Sequence, residues 1–240
     1  MVRLFVSAEK LHGTRATIDE AAHRHLIKVL RLAPGAAIQV FDGAGTVIEA
    51  RIESVGKSSV DIALGERFRV PGPRCSITLL QSLPRGERMD FIVQKTTELG
   101  VARIVPVLSE YGMVKPPNTR RQRWQTIAEE AARQCGRADV PDIADCIALP
   151  LALAQFVGKE GARFMLWEGQ RTRAFRAALA AGPREVVLLV GPEGGFSHAE
   201  VATAGEAGFE PVSIGPRILR AETAAMVAVA LAQAAAGGLD

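Results

Sequence analysis

The sequence predicts an α/β protein in which a small β-barrel domain precedes a domain built on a mostly parallel sheet. Short strand-like runs separated by turn residues fill the N-terminal part of the 240-residue chain, as in a small barrel. Further along, strands alternate with helices, which is typical of a parallel sheet covered on both faces. Val70-Pro71-Gly72-Pro73 separates the two patterns and resembles a linker. The predicted domains are therefore 1–72 and 73–240.

The N-terminal domain is expected to hold four strands and one helix. A helix is predicted from Ile18 to about Leu32, because acidic residues begin this stretch and basic residues end it, as the helix dipole prefers. Its apolar face is expected to carry Ala22, Leu26, Val29 and Leu30. The strands are predicted at Arg3–Val6, Ala37–Phe41, Val47–Ile52 and Ser59–Leu64.

The C-terminal domain is expected to hold five strands, most of them followed by a helix. The strands are predicted at Ser76–Leu80, Ala102–Leu108, Ala162–Trp167, Val186–Val190 and Phe209–Ile214. Helices are predicted at Arg85–Leu99, Thr119–Arg137, Pro150–Val157 and Thr172–Ala181, and after each of the last two strands. Ser197 is the expected N-cap of the first of those two helices, because Glu200 follows three residues later and completes a capping box.

Composition excludes several classes of protein. No apolar run reaches the roughly 18 residues of a membrane span, and the N-terminus lacks the apolar core of a signal peptide. A cytoplasmic location is therefore expected. The three cysteines form no CxxC pair, which favours reduced thiols. The net charge of +3 is compatible with nucleic acid but does not demand it.

Two glycine-bearing loops follow neighbouring strand patterns near the C-terminus. Gly191-Pro192-Glu193-Gly194-Gly195 follows one strand, and Ile214 to Thr223 follows the next. Such loops lie at the carboxyl ends of strands, where open α/β sheets bind ligands. Neither loop is a dinucleotide fingerprint or a phosphate P-loop. The first loop alone would also suit a plain tight connection, but two such loops together could surround one small ligand.

Charged residues cluster at several places. Arg217, Arg220 and Glu222 are close together on the second loop, and their spacing suits a solvated helix start as well as a ligand site. Basic side chains also end the first helix and line the first helix of the second domain. They are Arg24, Lys28 and Arg31, then Arg85, Arg88 and Lys95. Such stretches usually face solvent, yet basic groups in both domains would suit RNA.

Two other kinds of chemistry find little support. His23 and His25 are two residues apart, so on a helix they point to different faces, and no cluster of cysteines or carboxylates completes a metal site. No metal is therefore predicted. No serine lies in a G-x-S-x-G elbow, so hydrolase chemistry has no positive support.

Five motifs, in this order, resemble those of the RsmE family. They are Arg85-Gly86-Glu87-Arg88-Met89-Asp90, Gln94-Lys95-Thr96-Thr97-Glu98-Leu99-Gly100-Val101, Glu130-Ala131-Ala132-Arg133-Gln134-Cys135-Gly136-Arg137, Gly191-Pro192-Glu193-Gly194-Gly195-Phe196-Ser197 and Ile218-Leu219-Arg220-Ala221-Glu222-Thr223-Ala224. The stretch His25-Leu26-Ile27-Lys28-Val29-Leu30-Arg31 also resembles the N-terminal domain of that family. The resemblance covers essentially the whole chain.

The resemblance implies a PUA-like RNA-binding barrel followed by a SPOUT methyltransferase domain with a parallel sheet and a C-terminal trefoil knot. It implies methylation of uridine N3 in 16S ribosomal RNA of the small subunit, with S-adenosyl-L-methionine as methyl donor, by a homodimer. The residues expected to bind the cofactor are Leu166, Trp167, Glu168, Gly191, Pro192, Glu193, Gly194, Ile214, Gly215, Ile218, Leu219, Arg220, Thr223 and Ala224. Arg220 is expected to stabilise negative charge on the uracil, and Glu222 is the candidate base. The candidates for the RNA backbone are Arg24, Lys28, Arg31, Arg85 and Arg88.

Three other functions remain open on the sequence alone. The first is a SPOUT methyltransferase that acts on tRNA or on ribose 2′-oxygens. The second is a non-catalytic RNA-binding dimer, against which the intact Gly191 and Gly215 loops weigh. The third is a nucleotide-dependent oxidoreductase, which would be expected to carry a glycine fingerprint that this chain lacks.

Overall fold

The computed structural model describes residues 1–113, 119–169 and 173–239, apart from the side chains of Ala21, Ala22 and Thr119. The chain divides into two compact units. The first unit combines Met1–Gly72 with Glu129–Val140, and the second combines Pro73–Ala128 with Pro141–Asp240. The first unit therefore includes a segment from far along the chain.

The first unit is built on a five-stranded sheet. Its strands are β1 (Val2–Phe5), β2 (Arg15–Ile18), β3 (Ala37–Phe41), β4 (Thr46–Val55) and β5 (Val60–Arg69). Their order is β1-β3-β4-β5-β2, with β1 and β3 parallel and the other pairs antiparallel. Leu4 from one edge strand and Ile18 from the other belong to the same core cluster as Leu26. The sheet therefore curls around one core, as the strands of a small barrel do.

The prediction of a helix from Ile18 to Leu32 is wrong about where the helix begins and about which of its apolar residues are buried. Ile18 ends β2, and helix α1 (Glu20–His23) continues as a π-helical turn at Arg24–Val29. In that turn the Leu30 N–H donates to the carbonyl of His25, five residues earlier, at 3.0 Å.

This wider turn divides the predicted apolar face. Leu26 is fully buried, whereas Val29 is 65% exposed and Leu30 is 38% exposed. The side chain of Ala22, the fourth residue of that face, lies outside the described part.

The segment Glu129–Val140 completes the first unit. Ala132 and Ala138 pack against Phe41 and Val47 in a second buried cluster. The Gly45 N–H donates to the Ala138 carbonyl at 3.0 Å, and the Val140 N–H donates to the Gly43 carbonyl at 2.9 Å. The turn between β3 and β4 is therefore held by a segment from far along the chain.

The second unit is built on an eight-stranded sheet in which every pairing is parallel. Its strands are β6 (Ser76–Ser82), β7 (Arg103–Leu108), β8 (Asp142–Ile143), β9 (Ile147–Ala148), β10 (Ala162–Leu166), β11 (Arg173–Ala174), β12 (Glu185–Val190) and β13 (Glu210–Ser213). Its helices are α2 (Arg88–Glu98), the N-terminal part of α3 (Thr119–Cys135), α4 (Leu149–Ala154), α5 (Phe175–Ala178), α6 (His198–Glu206) and α7 (Ala221–Ala235). The predicted parallel α/β sheet is confirmed.

The strand order of this sheet brings distant parts of the chain together. The order is β11-β13-β10-β12-β6-β7-β8, with β9 beside β7. Thus β13, β10 and β12 are neighbours, and because they are parallel their carboxyl ends lie at one edge of the sheet. The loops that follow these three strands consequently converge. The strand order does not test the trefoil knot, which stays a prediction.

Several element boundaries differ from the predictions. Helix α2 begins at Arg88 rather than at Arg85, because Gly86 lies in a turn with a φ of 69°. Helix α3 ends at Cys135, just before Gly136 with a φ of 86°, a usual C-terminal signal. The helix predicted at 172–181 is shortened to α5, since the short strand β11 precedes it; Thr172 itself lies outside the described residues.

Within the described ranges, no helix combines the length and the apolar character needed to cross a membrane.

Candidate functional site

A cavity of about 520 Å³ lies at the carboxyl ends of β10, β12 and β13. This volume is within the range of roughly 300–1,000 Å³ that small-molecule sites occupy. Twelve of the fourteen residues predicted to bind a cofactor line it. They are Leu166, Trp167, Glu168, Gly191, Pro192, Glu193, Ile214, Gly215, Ile218, Leu219, Arg220 and Ala224. The structure thus brings together three loops that are widely separated in sequence.

Gly194 and Thr223 do not line this cavity. Gly194 faces a neighbouring pocket, and Thr223 is half-buried in the first turns of α7. Eight residues that were not predicted to bind the cofactor also line the cavity: Val190, Gly195, Phe196, Val212, Ser213, Pro216, Arg217 and Ala221. Each lies within two positions of a selected residue, so extending every selected loop by one or two positions would have found them.

The cavity suits the nucleoside cofactor that the family resemblance implies. Leu166, Ile214 and Leu219 are half-buried apolar side chains on its wall and can cover an aromatic ring. Gly215 has a φ of 106°, which favours glycine, and a Cβ placed there would meet no atom of the described residues within 4 Å. Because Gly215 lines the cavity, the missing side chain leaves room for a ligand. The residues present therefore fit the cofactor.

Trp167 faces both the cavity and the core. It lines the cavity, and it also packs on the core cluster that contains Met165 and Phe209. Its ring lies so close to Gly169 that a Cβ there would be 2.1 Å from the indole. Only a glycine at position 169 therefore leaves Trp167 in this position.

Arg220 and Glu222 differ in their surroundings. Arg220 is the N-cap residue of α7, lies on the cavity wall and is exposed, and its guanidinium has no ion pair among the described residues. The side chain of Glu222 is only 15% exposed, and its Oε2 is buried without a hydrogen-bond partner in the described part of the chain. Arg220 is thus free to meet a substrate, and Glu222 keeps an unused acceptor atom.

Arg88 links the cofactor loop to α7. Its guanidinium forms an ion pair with Glu193, and its Nε lies 4.0 Å from Oε1 of Glu222. Glu193 also accepts hydrogen bonds from the backbone N–H of Arg85, at 3.1 Å to Oε1 and 3.3 Å to Oε2. Arg88 was predicted to contact RNA, but in the structure it lies between two carboxylates. No sequence pattern predicts the contact of Arg88 with Glu193 and Glu222, since Arg88 is far from both in the chain.

The other basic residues predicted to contact the RNA backbone are exposed. Arg24, Lys28 and Arg31 lie in and just after the π-helical turn of the first unit, and Arg24 has a long ion pair of 3.6 Å with Glu20. Arg31 adopts a φ of 55°, which is uncommon for a residue other than glycine. Arg85 is exposed in the second unit.

The two histidines of the first helix have separate surroundings. His23 is buried, whereas Nε2 of His25 lies 3.4 Å from the guanidinium of Arg133. In the described ranges, no group of three or more histidine, cysteine or acidic side chains is arranged to hold a metal ion.

Two domain families match the sequence. The RNA methyltransferase domain matches residues 71–233, and the RNA methyltransferase PUA domain matches residues 18–64. These matches confirm a PUA-like N-terminal domain followed by an α/β methyltransferase domain.

Named relatives match most of the chain. A protein named ribosomal RNA small subunit methyltransferase E from Synechocystis sp. is 36% identical over 236 residues, which cover 95% of this chain and 76% of that protein. A protein of the same name from Mycobacterium bovis is 30% identical over 224 residues, which cover 90% of this chain and 85% of that protein.

Two solved structures share the fold over nearly their whole length. A ribosomal RNA small subunit methyltransferase E from Neisseria gonorrhoeae, bound to S-adenosyl methionine, has a TM-score of 0.89 and 34% identity, and 98% of this chain matches 97% of that one. A putative methyltransferase from Legionella pneumophila, in complex with the same cofactor, has a TM-score of 0.89, 33% identity and the same coverage.

Proposed function

Because this chain belongs to the ribosomal RNA small subunit methyltransferase E family, we propose that it methylates N3 of one uridine in 16S ribosomal RNA. S-adenosylmethionine is the methyl donor. The observation that carries the proposal is the three-loop cavity at the edge of the parallel sheet, in a chain that aligns almost end to end with two relatives crystallised with this cofactor. The choice of uridine N3 rests on the family resemblance of the five ordered motifs.

The chemistry is an in-line transfer to a ring nitrogen. The cofactor supplies an electrophilic methyl group on a sulfonium; a bond forms between N3 and this methyl carbon as the carbon–sulfur bond breaks, and the N3 proton leaves. Arg220, exposed on the cavity wall, stabilises the negative charge that develops on the uracil carbonyl oxygens. Glu222 is the candidate acceptor of the N3 proton: it does not line the cavity itself but follows Ala221, which does, and its buried Oε2 has no hydrogen-bond partner among the described residues.

The RNA contacts and the assembly belong to the same proposal. Exposed basic side chains, among them Arg24, Lys28 and Arg31, bind phosphates, and the target base leaves its stack to reach the site. The enzyme acts in the cytoplasm as a homodimer. The homodimer rests on the family resemblance.

Calorimetric titration with S-adenosylhomocysteine tests the cofactor site. Ala224 lies on the cavity wall in α7, so Ala224→Trp fills the cavity and should abolish binding. Ala234→Trp, at an exposed position near the end of the same helix, is the matched control and should bind like the wild type. Binding that survives Ala224→Trp would place the cofactor elsewhere.

Nucleoside analysis of the product tests the reaction. The wild type and the purified cofactor are incubated with unmodified small ribosomal subunits, and the RNA is digested to nucleosides. We expect 3-methyluridine. A 2′-O-methylated nucleoside, or methylation of tRNA alone, would assign the chain to a different activity, and binding of RNA without any methyl transfer would identify a non-catalytic module.

A further inference from the structure

A second pocket adjoins the cofactor cavity and shares Glu193 with it. It has a volume of about 550 Å³ and is lined by Arg85, Glu110, Tyr111, Gly112, Glu193 and Gly194. These residues follow the carboxyl ends of β6, β7 and β12, and in the sheet β6 lies between β12 and β7. The second pocket is therefore at the same edge of the sheet as the cavity, over the adjoining strands.

Tyr111 is the aromatic residue of this pocket and the single tyrosine of the chain. A Cβ built on Gly194 would lie 2.8 Å from Cβ of Tyr111 and 3.4 Å from its Cγ, so the side chain packs directly against the cofactor loop. Nevertheless 48% of Tyr111 stays exposed. A tyrosine fixed at its base and open to solvent is a suitable surface on which a nucleobase can stack.

The polar groups of the pocket match a nucleotide. The Arg85 side chain is exposed, and the hydrogen bonds from its backbone N–H to Glu193 fix the start of the residue. Its guanidinium can bind a phosphate or a uracil carbonyl oxygen. The charge of Glu193 is offset in part by Arg88, which it shares with Glu222, and by the hydrogen bonds from the Arg85 N–H, so its repulsion of an anion is reduced. Glu110 is exposed and offers acceptors for ribose hydroxyls.

The target base must also lie close to the methyl donor. A methyl transfer needs the accepting atom about 3–3.5 Å from the methyl carbon, so the target base must enter a space that adjoins the cofactor cavity. This pocket adjoins it across one loop residue, Glu193.

We propose that this pocket receives the target nucleotide, with the uracil ring stacked on Tyr111 and an adjacent phosphate bound by Arg85. The assignment rests on the proposed function, because an acceptor subsite has meaning only beside a methyl donor. Tyr111 then sets the affinity for the flipped base, while the three loops of the cavity set the affinity for the cofactor.

Substitutions at position 111 separate stacking from simple packing. Initial rates of methyl transfer to unmodified small ribosomal subunits are measured alongside affinity for S-adenosylhomocysteine. Tyr111→Leu keeps apolar bulk but removes the ring, and we expect it to raise KM for the RNA roughly tenfold to a hundredfold. Tyr111→Phe keeps the ring and should rescue most of that loss. Neither variant should weaken cofactor binding.

Arg85→Gln provides an independent test. It keeps the backbone bonds to Glu193 and removes the charge, so KM for the RNA should rise, with a shallower dependence on salt, while cofactor affinity is retained. Wild-type kinetics in both Tyr111→Leu and Arg85→Gln would overturn the subsite and leave the proposed function intact.

Three other results would also overturn it. Equal loss in Tyr111→Phe and Tyr111→Leu would exclude stacking. A parallel loss of cofactor affinity would make Tyr111 a support of the loop that holds Gly194. No methyl transfer to RNA by the wild type would remove the proposed function and this subsite together.

Discussion

At the scale of single residues, the site depends on which charges are already paired. Arg88 lies between Glu193 and Glu222, whereas Arg220 on the cavity wall has no ion pair among the described residues. An unpaired guanidinium beside a cavity can respond to charge that develops during a reaction, but one held between two carboxylates mainly fixes their positions. We therefore assign stabilisation of the uracil to Arg220 and positioning of the loop to Arg88.

The Arg220→Ala variant tests this assignment. Loss of one preorganised donor at a developing oxyanion typically lowers kcat about 10²–10³-fold. We expect a loss approaching that range, with little change in affinity for S-adenosylhomocysteine, because the cavity keeps its apolar wall and its other loops. Single-turnover kinetics measure the rate of methyl transfer, and calorimetry measures the affinity for S-adenosylhomocysteine. A variant that binds the cofactor far more weakly, yet turns over normally at saturating cofactor, would show that Arg220 is a cofactor ligand only.

At the scale of elements, α6 anchors the loop that carries the glycines of the cavity. The Ser197 hydroxyl accepts a hydrogen bond from the Glu200 N–H at 3.3 Å, and the Ser197 N–H donates to Oε2 of Glu200 at 3.0 Å. Oε1 of Glu200 accepts a bond from the Glu110 N–H at 2.8 Å. One glutamate thus caps the helix and ties it to the loop after β7.

The Ser197→Ala variant should lower the free energy of unfolding by about 1 kcal/mol, the usual cost of a lost N-cap. Urea denaturation followed by circular dichroism measures this change. Thr203→Ala is the control, since Thr203 is exposed in the middle of the same helix and alanine is the better helix former there. An unchanged stability in Ser197→Ala would mean that Glu200 holds the helix start by itself.

The elements also show what sequence patterns can predict. Loops such as Gly191–Gly195 were found because glycines after a buried strand are a local signal, and the Ser197 capping box was confirmed for the same reason. Strand β2 was not predicted, because four residues give only a short alternation and the helix signal follows directly. The π-helical turn could not be predicted, since the shift from four-residue to five-residue hydrogen bonding leaves no distinct signal in the spacing of apolar residues. The meeting of Arg88 with Glu193 and Glu222 is a tertiary contact that no local pattern encodes.

At the scale of the whole molecule, the two units are not two simple stretches of chain. The first unit needs Glu129–Val140, whose Ala132 and Ala138 cover Phe41 and Val47. Phe41 is 0% exposed and Val47 is 1% exposed. A barrel cut at Gly72 would therefore expose an aromatic side chain and lose backbone partners for its β3–β4 turn.

A fragment of residues 1–72 tests this dependence. We expect it to unfold at a lower urea concentration than the same fragment joined to residues 129–140 by a Gly/Ser linker, because the linked segment restores the cover over Phe41. Urea titration with circular dichroism compares the two. Equal midpoints would show that the first 72 residues form a self-sufficient unit and that the later segment only rests on it.

Because the first unit is built from two separate segments of the chain, the order of synthesis affects when it can be completed. A growing chain that emerges from the ribosome at about 5–20 residues per second reaches Glu129 several seconds after Gly72. Throughout that interval Phe41 and Val47 lack their cover, while β6 and β7 of the second unit are already emerging. The nascent protein therefore completes its first unit only after the Pro73–Ala128 segment of its second has been made, and it passes through a stage in which an apolar surface is open to chaperones.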